Sequence, residues 1–503
     1  MNKKAKQIQK NIVRVIALVL ALLLVGSAVF SIFVYGFAEE LPDRDAYELT
    51  VDLYEEEQAL QVSQRLVYTN RTGKPIENVM FYLYGNMLRR ESALVYDNDD
   101  LGALFPAGYA PGSIEFSEIR VNGAPADWAV QGEEEMFLRV SCPLEAGQSA
   151  EFRFDYIVLL PVNNAFLGVG ETDWRLSGFF PAAAGTDSNG DFVLNAPLAF
   201  ARTAFLPEAD YCATITLPAG YDLAAPGAVT SAKNEDGSVT WRVEAAAHDF
   251  ALSFGRRWRT YAAETPSGTQ IRLLANDRSG ARKALDCAAE TLACFENWFG
   301  VLPSGALTIA QSDYALSGLG FDGMIWLSSD LLSGDADELR QHIRYQIARQ
   351  YFGFAAYVEP NADAWLTDSI SMYAACLALE ESEGNAAYLK HLNREIVPAL
   401  QLTLPGGLEV TSAAHLFDSY EYKIVVLDRG TAVFHELRTA MGRENLIAGL
   451  RAFYELGRTE TWLGEYDLVA ALDSATGGSW EAFLTDWLFN IDDYVEQEIE
   501  WLD

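Results

Sequence analysis

The side chains with the most chemistry to offer lie in one stretch, Glu338 to Tyr373, which reads ELRQHIRYQIARQYFGFAAYVEPNADAWLTDSISMY. Apolar residues recur in its first half at every fourth position, which predicts an amphipathic helix with one buried face. Gly353 predicts the end of this helix, and a second helix is predicted to begin near Asp363. Two helices joined by a short turn are a common scaffold for a metal site, and two plain core helices are the alternative. The residues of the apolar stripe are Leu339, Ile343, Ile347 and Tyr351.

One pair in this stretch has a spacing that can chelate a metal ion. Glu338 and His342 are four residues apart, so they share one face of the predicted helix. Glu338 also lies near the start of the helix, where a carboxylate interacts favourably with the helix dipole, and we favour this simpler interpretation. The chain contains no phosphate-binding loop, GxSxG elbow or Cys–His signature.

The same stretch resembles the zinc-binding core of the aminopeptidase-N-type metallopeptidases, gluzincins in which HExxH is followed, after eighteen residues, by Glu. A typical family run, HELAHQWFG followed by WLNEGFASY, is similar to YQIARQYFG followed by WLTDSISMY in this chain. Eighteen residues separate Arg349 from Asp368, which is the family's spacing. In this register Tyr345 and Arg349 stand at the positions of the two ligand histidines. Gln346 stands at the position of the general-base Glu, and Asp368 at that of the ligand Glu.

The resemblance therefore implies a degenerate member without metal ligands or catalytic residues. Zinc requires imidazole, thiolate or carboxylate donors, whereas an arginine has no lone pair and stays protonated. Gln346 has no titrating group and cannot take a proton from water. We expect no cofactor, and we hypothesise that Arg349 and Asp368 form an ion pair in the metal's place. The alternative is that Arg349 points along the surface while Asp368 caps something local.

Two more positions of the family's machinery differ in the same way. LSGLGFDGMIWLSSDLL resembles the family's GGMEN-type edge strand, and Gly320 stands where the family's Glu grips a peptide's amino group. LDRGTAVFHELR resembles the segment whose Tyr stabilises the oxyanion, and Leu427 stands at that position without a donor. Tyr420 and Tyr422 lie one to two turns upstream, and we do not expect them to reach inward.

The rest of the resemblance covers most of the chain and implies its fold. Alternating apolar residues separated by glycine and proline predict an antiparallel β-sandwich-like domain over residues 39–258. YTNRTGKPIENVMFYLYGN, GFFPAAAG and HDFALSF in this region resemble the family's amino-terminal domain, and we interpret His248 as structural. Residues 259–503 are predicted to form a thermolysin-like, mainly helical domain, so the expected fold class is α+β and multidomain. The predicted helices of this second domain include Ser279–Gly300, Asn385–Leu400, Val425–Ala440, Asn445–Leu456 and Trp480–Phe489.

The amino terminus predicts a membrane anchor. Residues 1–14 carry five Lys or Arg, and the 24 residues of 15–38 contain no charged side chain. A run of this length is longer than a signal-peptide core and long enough to span a bilayer. We predict a cytoplasmic tail over 1–14 and an uncleaved signal anchor over 15–38, with the bulk of the chain extracytoplasmic in a single-pass protein of the cell membrane. Cleavage after Ala38 is the alternative.

The net charge bears on the kind of partner, and the cysteine spacing bears on metal binding. The formal net charge of −35 at pH 7 argues against binding nucleic acid. The five cysteines lack metal-finger spacing, and we expect buried free thiols. We favour a protein that is not an enzyme, a membrane-anchored peptidase-like chain that binds a peptide or a membrane-protein partner. The alternatives are a zinc-dependent peptidase with remodelled ligands, which would need zinc, and a structural ectodomain whose cleft has closed.

Overall fold

The computed structural model of the protein describes residues 44–132, 134–402 and 407–489. The predicted tail and anchor, 1–14 and 15–38, lie outside these residues. No helix in the described ranges is both long enough and apolar enough to cross a bilayer. From Asp45 onward the chain forms one compact unit.

The described part contains 21 strands in four sheets. The strands are β1 (Asp45–Tyr54), β2 (Ala59–Thr69), β3 (Ile76–Tyr82), β4 (Ser113–Val121), β5 (Ala124–Pro125), β6 (Trp128–Gln131), β7 (Phe137–Leu144), β8 (Ser149–Leu159), β9 (Leu167–Val169), β10 (Asp173–Leu176), β11 (Ala182–Ala183), β12 (Ala209–Leu217), β13 (Tyr221–Ala224), β14 (Ala228–Lys233), β15 (Val239–Ala247), β16 (Leu252–Arg256), β17 (Arg259–Glu264), β18 (Gln270–Ala275), β19 (Ala306–Ser312), β20 (Gly318–Phe321) and β21 (Met324–Ser328).

The helices lie almost entirely in the second half of the chain. The α-helices are α1 (Leu101–Leu104), α2 (Arg278–Trp298), α3 (Ser329–Ser333), α4 (Ala336–Arg349), α5 (Ala364–Glu383), α6 (Asn385–His391), α7 (Val397–Leu400), α8 (Ser419–Tyr422), α9 (Gly430–Met441), α10 (Arg443–Gly457), α11 (Glu465–Thr476) and α12 (Glu481–Phe489). Wider π-helical turns continue three of them, at Gln350–Ala355, Leu392–Ile396 and Lys423–Arg429. Short 3-10 turns span Tyr84–Arg89, Glu91–Ala93 and Ala414–Leu416.

The largest sheet has eight strands in the order β14-β15-β12-β1-β2-β8-β4-β5. Burial alternates along β8, because successive side chains of a strand point to opposite faces and one face covers the core. The pairs of this sheet are antiparallel except β1–β12, which is parallel. The antiparallel prediction is therefore wrong at this pair. More than 150 residues separate the two strands, so no tight turn forces them to run in opposite directions.

The helical half surrounds a five-stranded sheet in the order β17-β18-β19-β21-β20. Strands β18, β19 and β21 are parallel, and β20 runs antiparallel to β21 at the edge. One large buried cluster contains apolar residues between 47 and 254, and another contains apolar residues between 271 and 488. The mixed α+β class is confirmed, while the predicted boundary between 258 and 259 stays a prediction.

The predicted helices are present, with shifted ends. Asp335 caps α4 by accepting from the backbone N–H groups of Asp337 and Glu338. The helix does not end at Gly353, as the sequence suggested, because the wider turn Gln350–Ala355 continues it. A Cβ at Gly353 would lie 2.8 Å from the Thr367 side chain, so this glycine lets the turn pack closely on α5. All five cysteines are free, three of them buried and two half-buried.

Gly430 fixes the contact between α9 and α5, and this contact gives a first prediction. A Cβ at Gly430 would lie 2.6 Å from the Cβ of buried Ser369, whose hydroxyl donates to the Val426 carbonyl at 2.7 Å. We expect Gly430→Ala to lower the free energy of unfolding by about 1–3 kcal/mol through overpacking, measured by urea denaturation. Gly102→Ala in α1 is the control, since nothing lies within 4 Å of its Cβ. Equal shifts for the two variants would contradict this account.

Candidate active site

A cavity of about 650 Å³ lies between strands of the first half and helices of the second half. Aromatic side chains from both halves form much of its wall, including Tyr84, Phe200, Tyr345 and Tyr422. Of the six positions that the resemblance matches to the family's machinery, five line this cavity, and the sixth, Asp368, contacts two of them from behind the wall. These five are Gly320, Tyr345, Gln346, Arg349 and Leu427.

Asp368 is the centre of a buried polar cluster. The Tyr345 hydroxyl donates to its Oδ1 at 2.9 Å, and the Tyr422 hydroxyl donates to its Oδ2 at 2.6 Å. The Arg349 Nε lies 3.4 Å from Oδ1, with 11% and 6% of the two side chains exposed. This contact is an ion pair by distance, although its geometry makes no hydrogen bond. The hypothesised pair of Arg349 and Asp368 is therefore present, and Arg349 does not point along the surface.

Burial and neighbouring charges keep the Arg349 guanidinium charged and the hydroxyls of Tyr345 and Tyr422 neutral. Burial is the largest single effect and lowers the pKa of Arg349, but Asp368 acts together with Tyr345, Tyr422 and Asp249 in the opposite direction, and the pKa of the guanidinium is raised. Burial and the negative charge of Asp368 both raise the pKa of the Tyr345 and Tyr422 hydroxyls. Both tyrosines therefore stay protonated and can donate to the carboxylate at neutral pH.

Tyr422 was not expected to reach inward, and this expectation is wrong. Its ring is 1% exposed and lies 5.1 Å from the Phe200 ring, centroid to centroid. Tyr420, two residues earlier, is 57% exposed and does not line the cavity. The difference arises because α8 has only four residues before the wider turn Lys423–Arg429 begins, so a regular helical spacing could not place these side chains.

Gln346 occupies the space beside Gly320. A Cβ at Gly320 would lie 2.2 Å from the Gln346 Oε1, so the amide takes the place that a side chain would fill. That Oε1 is buried and has no hydrogen-bond partner among the described residues. The Gln346 Nε2 lies 3.4 Å from the His342 Nε2. Burial, and then the positive charge of Arg349, lower the pKa of His342 to about 4.

The remaining positions that the sequence analysis singled out place no titratable side chain in this cavity. Leu427 lines the cavity with an apolar side chain. Glu338 is exposed at the start of α4, as the dipole interpretation requires. His248 does not line the cavity, and its ring stacks on the Tyr357 ring at 3.7 Å, as expected for a structural histidine.

Arg202 is a cavity residue that the sequence did not reveal. Its Nε lies 3.5 Å from the Asp249 carboxylate, and its guanidinium carbon lies 4.6 Å from the centre of the Phe354 ring. Its Nη2 is buried without a hydrogen-bond partner in the described ranges. The segment around it has no helix or strand, so no periodic pattern marks it.

The donor set at this site does not fit zinc. Asp368 is the single carboxylate of the cluster, and both of its oxygens already accept hydrogen bonds. Arg349 supplies a positive charge and no lone pair, and it would repel a cation. Within the described residues, no group of three or more His, Cys, Asp or Glu side chains could hold a metal ion.

Comparison with known proteins relates this geometry to a family. No family model matches the chain. Aminopeptidase N of Lactococcus lactis subsp. lactis is 25% identical over 281 residues, which cover 51% of this chain and 32% of that protein. Aminopeptidase N of Lactobacillus delbrueckii subsp. lactis is 22% identical over 378 residues, 69% of this chain and 43% of that protein. The chain thus spans about a third to two-fifths of the length of these curated relatives.

Solved structures agree with these relatives. The M1 zinc metallopeptidase from Deinococcus radiodurans superposes with a TM-score of 0.62 at 16% identity, covering 89% of this chain and 93% of that one. A mutant of that enzyme bound to a Tyr-Ser-Ala substrate superposes with a TM-score of 0.61 at 17% identity, covering 89% of this chain and 94% of that one. The chain is therefore similar in sequence to aminopeptidases N and in fold to an M1 zinc metallopeptidase. The correspondence of single residues between this chain and these proteins stays a prediction.

The buried ion pair predicts a large effect of removing its cation. Arg349→Met leaves the Asp368 carboxylate buried with hydroxyl donors only, and we expect a loss of about 3 kcal/mol in the free energy of unfolding, measured by urea denaturation. Arg242→Met is the control, because its ion pair with Glu244 has side chains 48% and 58% exposed. We expect that control to lose less than about 1 kcal/mol. Arg349→Met combined with Asp368→Asn should recover part of the loss, and no recovery would contradict a direct pairing.

The lowered pKa of His342 predicts the direction in which the free energy of unfolding changes with pH. Its pKa is about 4 in the folded protein and about 6.5 when unfolded, so between these values only the unfolded chain binds the proton. We expect its contribution to the free energy of unfolding to be full above about pH 6.5 and lost as the pH falls towards about 4. The measurement is urea denaturation of wild type and His342→Gln across this range.

Subtracting the variant from the wild type removes the contributions of other groups. Asp322 is one of these, because burial raises its pKa to about 7 and its own dependence has the opposite sign. A His342 ring that titrates near pH 6.5 by NMR would contradict the burial argument.

Proposed function

We propose that this chain is a noncatalytic, peptidase-like member of the aminopeptidase-N-type family that binds a peptide in the cavity. The observation that carries the proposal is the Asp368 cluster. A guanidinium and two tyrosine hydroxyls satisfy the carboxylate that, in the family register, would bind the metal. An ion entering this position would have to displace Arg349 and break two hydrogen bonds.

Two further positions that the resemblance matches to the family's machinery also lack the chemistry of hydrolysis. Activating a water molecule needs a base within hydrogen-bond reach, and the Gln346 amide cannot accept a proton. Stabilising a tetrahedral oxyanion needs a donor aimed at it, and Leu427 has none. Tyr422 has a suitable hydroxyl, but it already donates to Asp368 at 2.6 Å.

Binding a peptide requires a cavity of suitable volume and polarity but no catalytic group, and this cavity has both properties. Its volume of about 650 Å³ is typical of ligand sites, which are largely apolar with a few polar groups. The polar groups include Arg202, Asp249 and Arg349, and rings such as Phe200 lie among them. A peptide segment with an apolar or aromatic side chain fits such a wall.

The wider organisation is part of the same proposal. We propose a β-sandwich-like domain over 39–258 and a thermolysin-like domain over 259–503, with the cavity between them. The uncharged run 15–38 and its basic flank support a membrane anchor with the bulk of the chain extracytoplasmic. In that location the partner is a peptide or a peptide segment of a membrane protein.

The test is metal content together with turnover, measured on the full chain in detergent. We expect no stoichiometric transition metal by elemental analysis and no release of arylamine from aminoacyl-arylamides, with or without added zinc. The matched reference is a variant that restores the family residues at four positions, Tyr345→His, Gln346→Glu, Arg349→His and Asp368→Glu. Stoichiometric zinc with turnover in the wild type would establish the alternative, a peptidase with remodelled ligands.

A further inference from the structure

Arg349 has donors that the protein itself does not use. Among the described residues its contacts are the ion pair with Asp368 through Nε and its position 5.8 Å from the Tyr345 ring centre. Within the described ranges its two terminal nitrogens donate no hydrogen bond. Unlike the buried Nε, these two nitrogens are accessible. Since Arg349 lines the cavity, its terminal N–H groups open into that space.

A ligand that displaces water from these guanidinium donors has to supply an acceptor in its place. Arginine is always charged, and leaving its N–H groups without a partner away from water is costly. Its planar fork matches a carboxylate, which can accept two parallel hydrogen bonds. Because Asp368 contacts the Nε side, the opposite edge of the same group remains free for a second carboxylate.

The two other cations of the cavity differ from Arg349. Arg202 pairs with Asp249 at 3.5 Å, and its unpaired Nη2 is buried. Lys423 pairs with Asp428 at 2.7 Å, and its side chain is 54% exposed. Arg349 is therefore the largely buried cation whose accessible terminal nitrogens have no partner among the described residues. Beside it, the Phe200 ring lies against Tyr422 at 5.1 Å and offers an apolar surface.

We propose that the cavity binds its ligand by a carboxylate, held on the terminal nitrogens of Arg349, with the ligand's apolar body against the aromatic wall. The chemical class is a peptide with a free carboxyl terminus and an apolar or aromatic last residue. This rests on the proposed function, and it adds that recognition is by the acid group of the peptide. The main alternative source of the same chemistry is an acidic side chain.

The experiment compares matched peptides by calorimetry on the full chain in detergent. The probes are Ala-Ala-Phe, its carboxyl amide, its N-acetyl form and the amide Ala-Glu-Phe-NH₂. We expect Ala-Ala-Phe to bind on the order of 10- to 100-fold more tightly than its amide, the value of hydrogen bonds to a charged group. N-acetylation should change the affinity little. Tight binding of Ala-Glu-Phe-NH₂ with weak binding of Ala-Ala-Phe would overturn the carboxyl-terminal assignment.

Substitutions test whether Arg349 causes the preference for the free acid over the amide. Arg349→Gln should abolish the preference for the free acid, and Arg349→Lys should keep part of it, because an ammonium retains the charge without the planar fork. Arg438→Gln is the matched control, since Arg438 is also a largely buried arginine paired with a carboxylate, Glu380 at 2.7 Å, outside the cavity. It should keep the full preference.

The outcomes separate the two proposals. Equal affinity of the wild type for Ala-Ala-Phe and its amide, without hydrolysis, overturns the carboxylate contact and leaves peptide binding intact. No binding of any probe overturns both proposals. The comparison of free acid with amide uses the wild type alone, so it decides the matter even where an Arg349 variant does not fold.

Discussion

The site depends on satisfying one buried carboxylate. Asp368 lies on α5, and its three partners come from two other segments, Tyr345 and Arg349 on α4 and Tyr422 at the end of α8. A buried charge without partners is strongly unfavourable, so these three segments can pack together only when the contacts form together. Leu427 reaches the wall because the wider turn that carries it begins directly after Tyr422.

The same constraint underlies the proposal of binding without catalysis. Chemistry at such a site needs groups whose electrons or protons are available, and here the carboxylate, both hydroxyls and the Nε edge of the guanidinium face one another. What remains open toward the cavity is the far edge of Arg349, a set of hydrogen-bond donors. The edge strand β20 reinforces this, since Gly320 offers no side chain and the Gln346 amide fills the space. Gln350 holds that strand by donating to the Phe321 carbonyl at 3.0 Å.

Local sequence patterns predicted the structural features that depend on local interactions. The stripe from Leu339 to Tyr351 predicted α4. The ion pair was predicted from the resemblance, which puts Arg349 and Asp368 at two ligand positions of one ion. Tyr422 was missed because an irregular helix places it, and its hydrogen bond depends on the approach of a distant segment. Arg202 was missed because it lies in a segment without regular structure. The parallel pairing of β1 and β12 depends on the path of the intervening chain, which no short pattern records.

An arginine and a metal ion as partners of a buried carboxylate respond differently to pH. A guanidinium cannot dissociate from the protein and does not lose its proton, whereas metal ligands must be deprotonated before an ion binds. The hydroxyls of Tyr345 and Tyr422 also stay protonated, because burial and Asp368 raise the pKa of both. Arg349 therefore stays charged and both hydroxyls keep their protons at neutral pH, so the contacts that join the three segments persist there. We expect these contacts to hold the cavity in shape, and a preformed cavity spends less free energy on ordering when it binds.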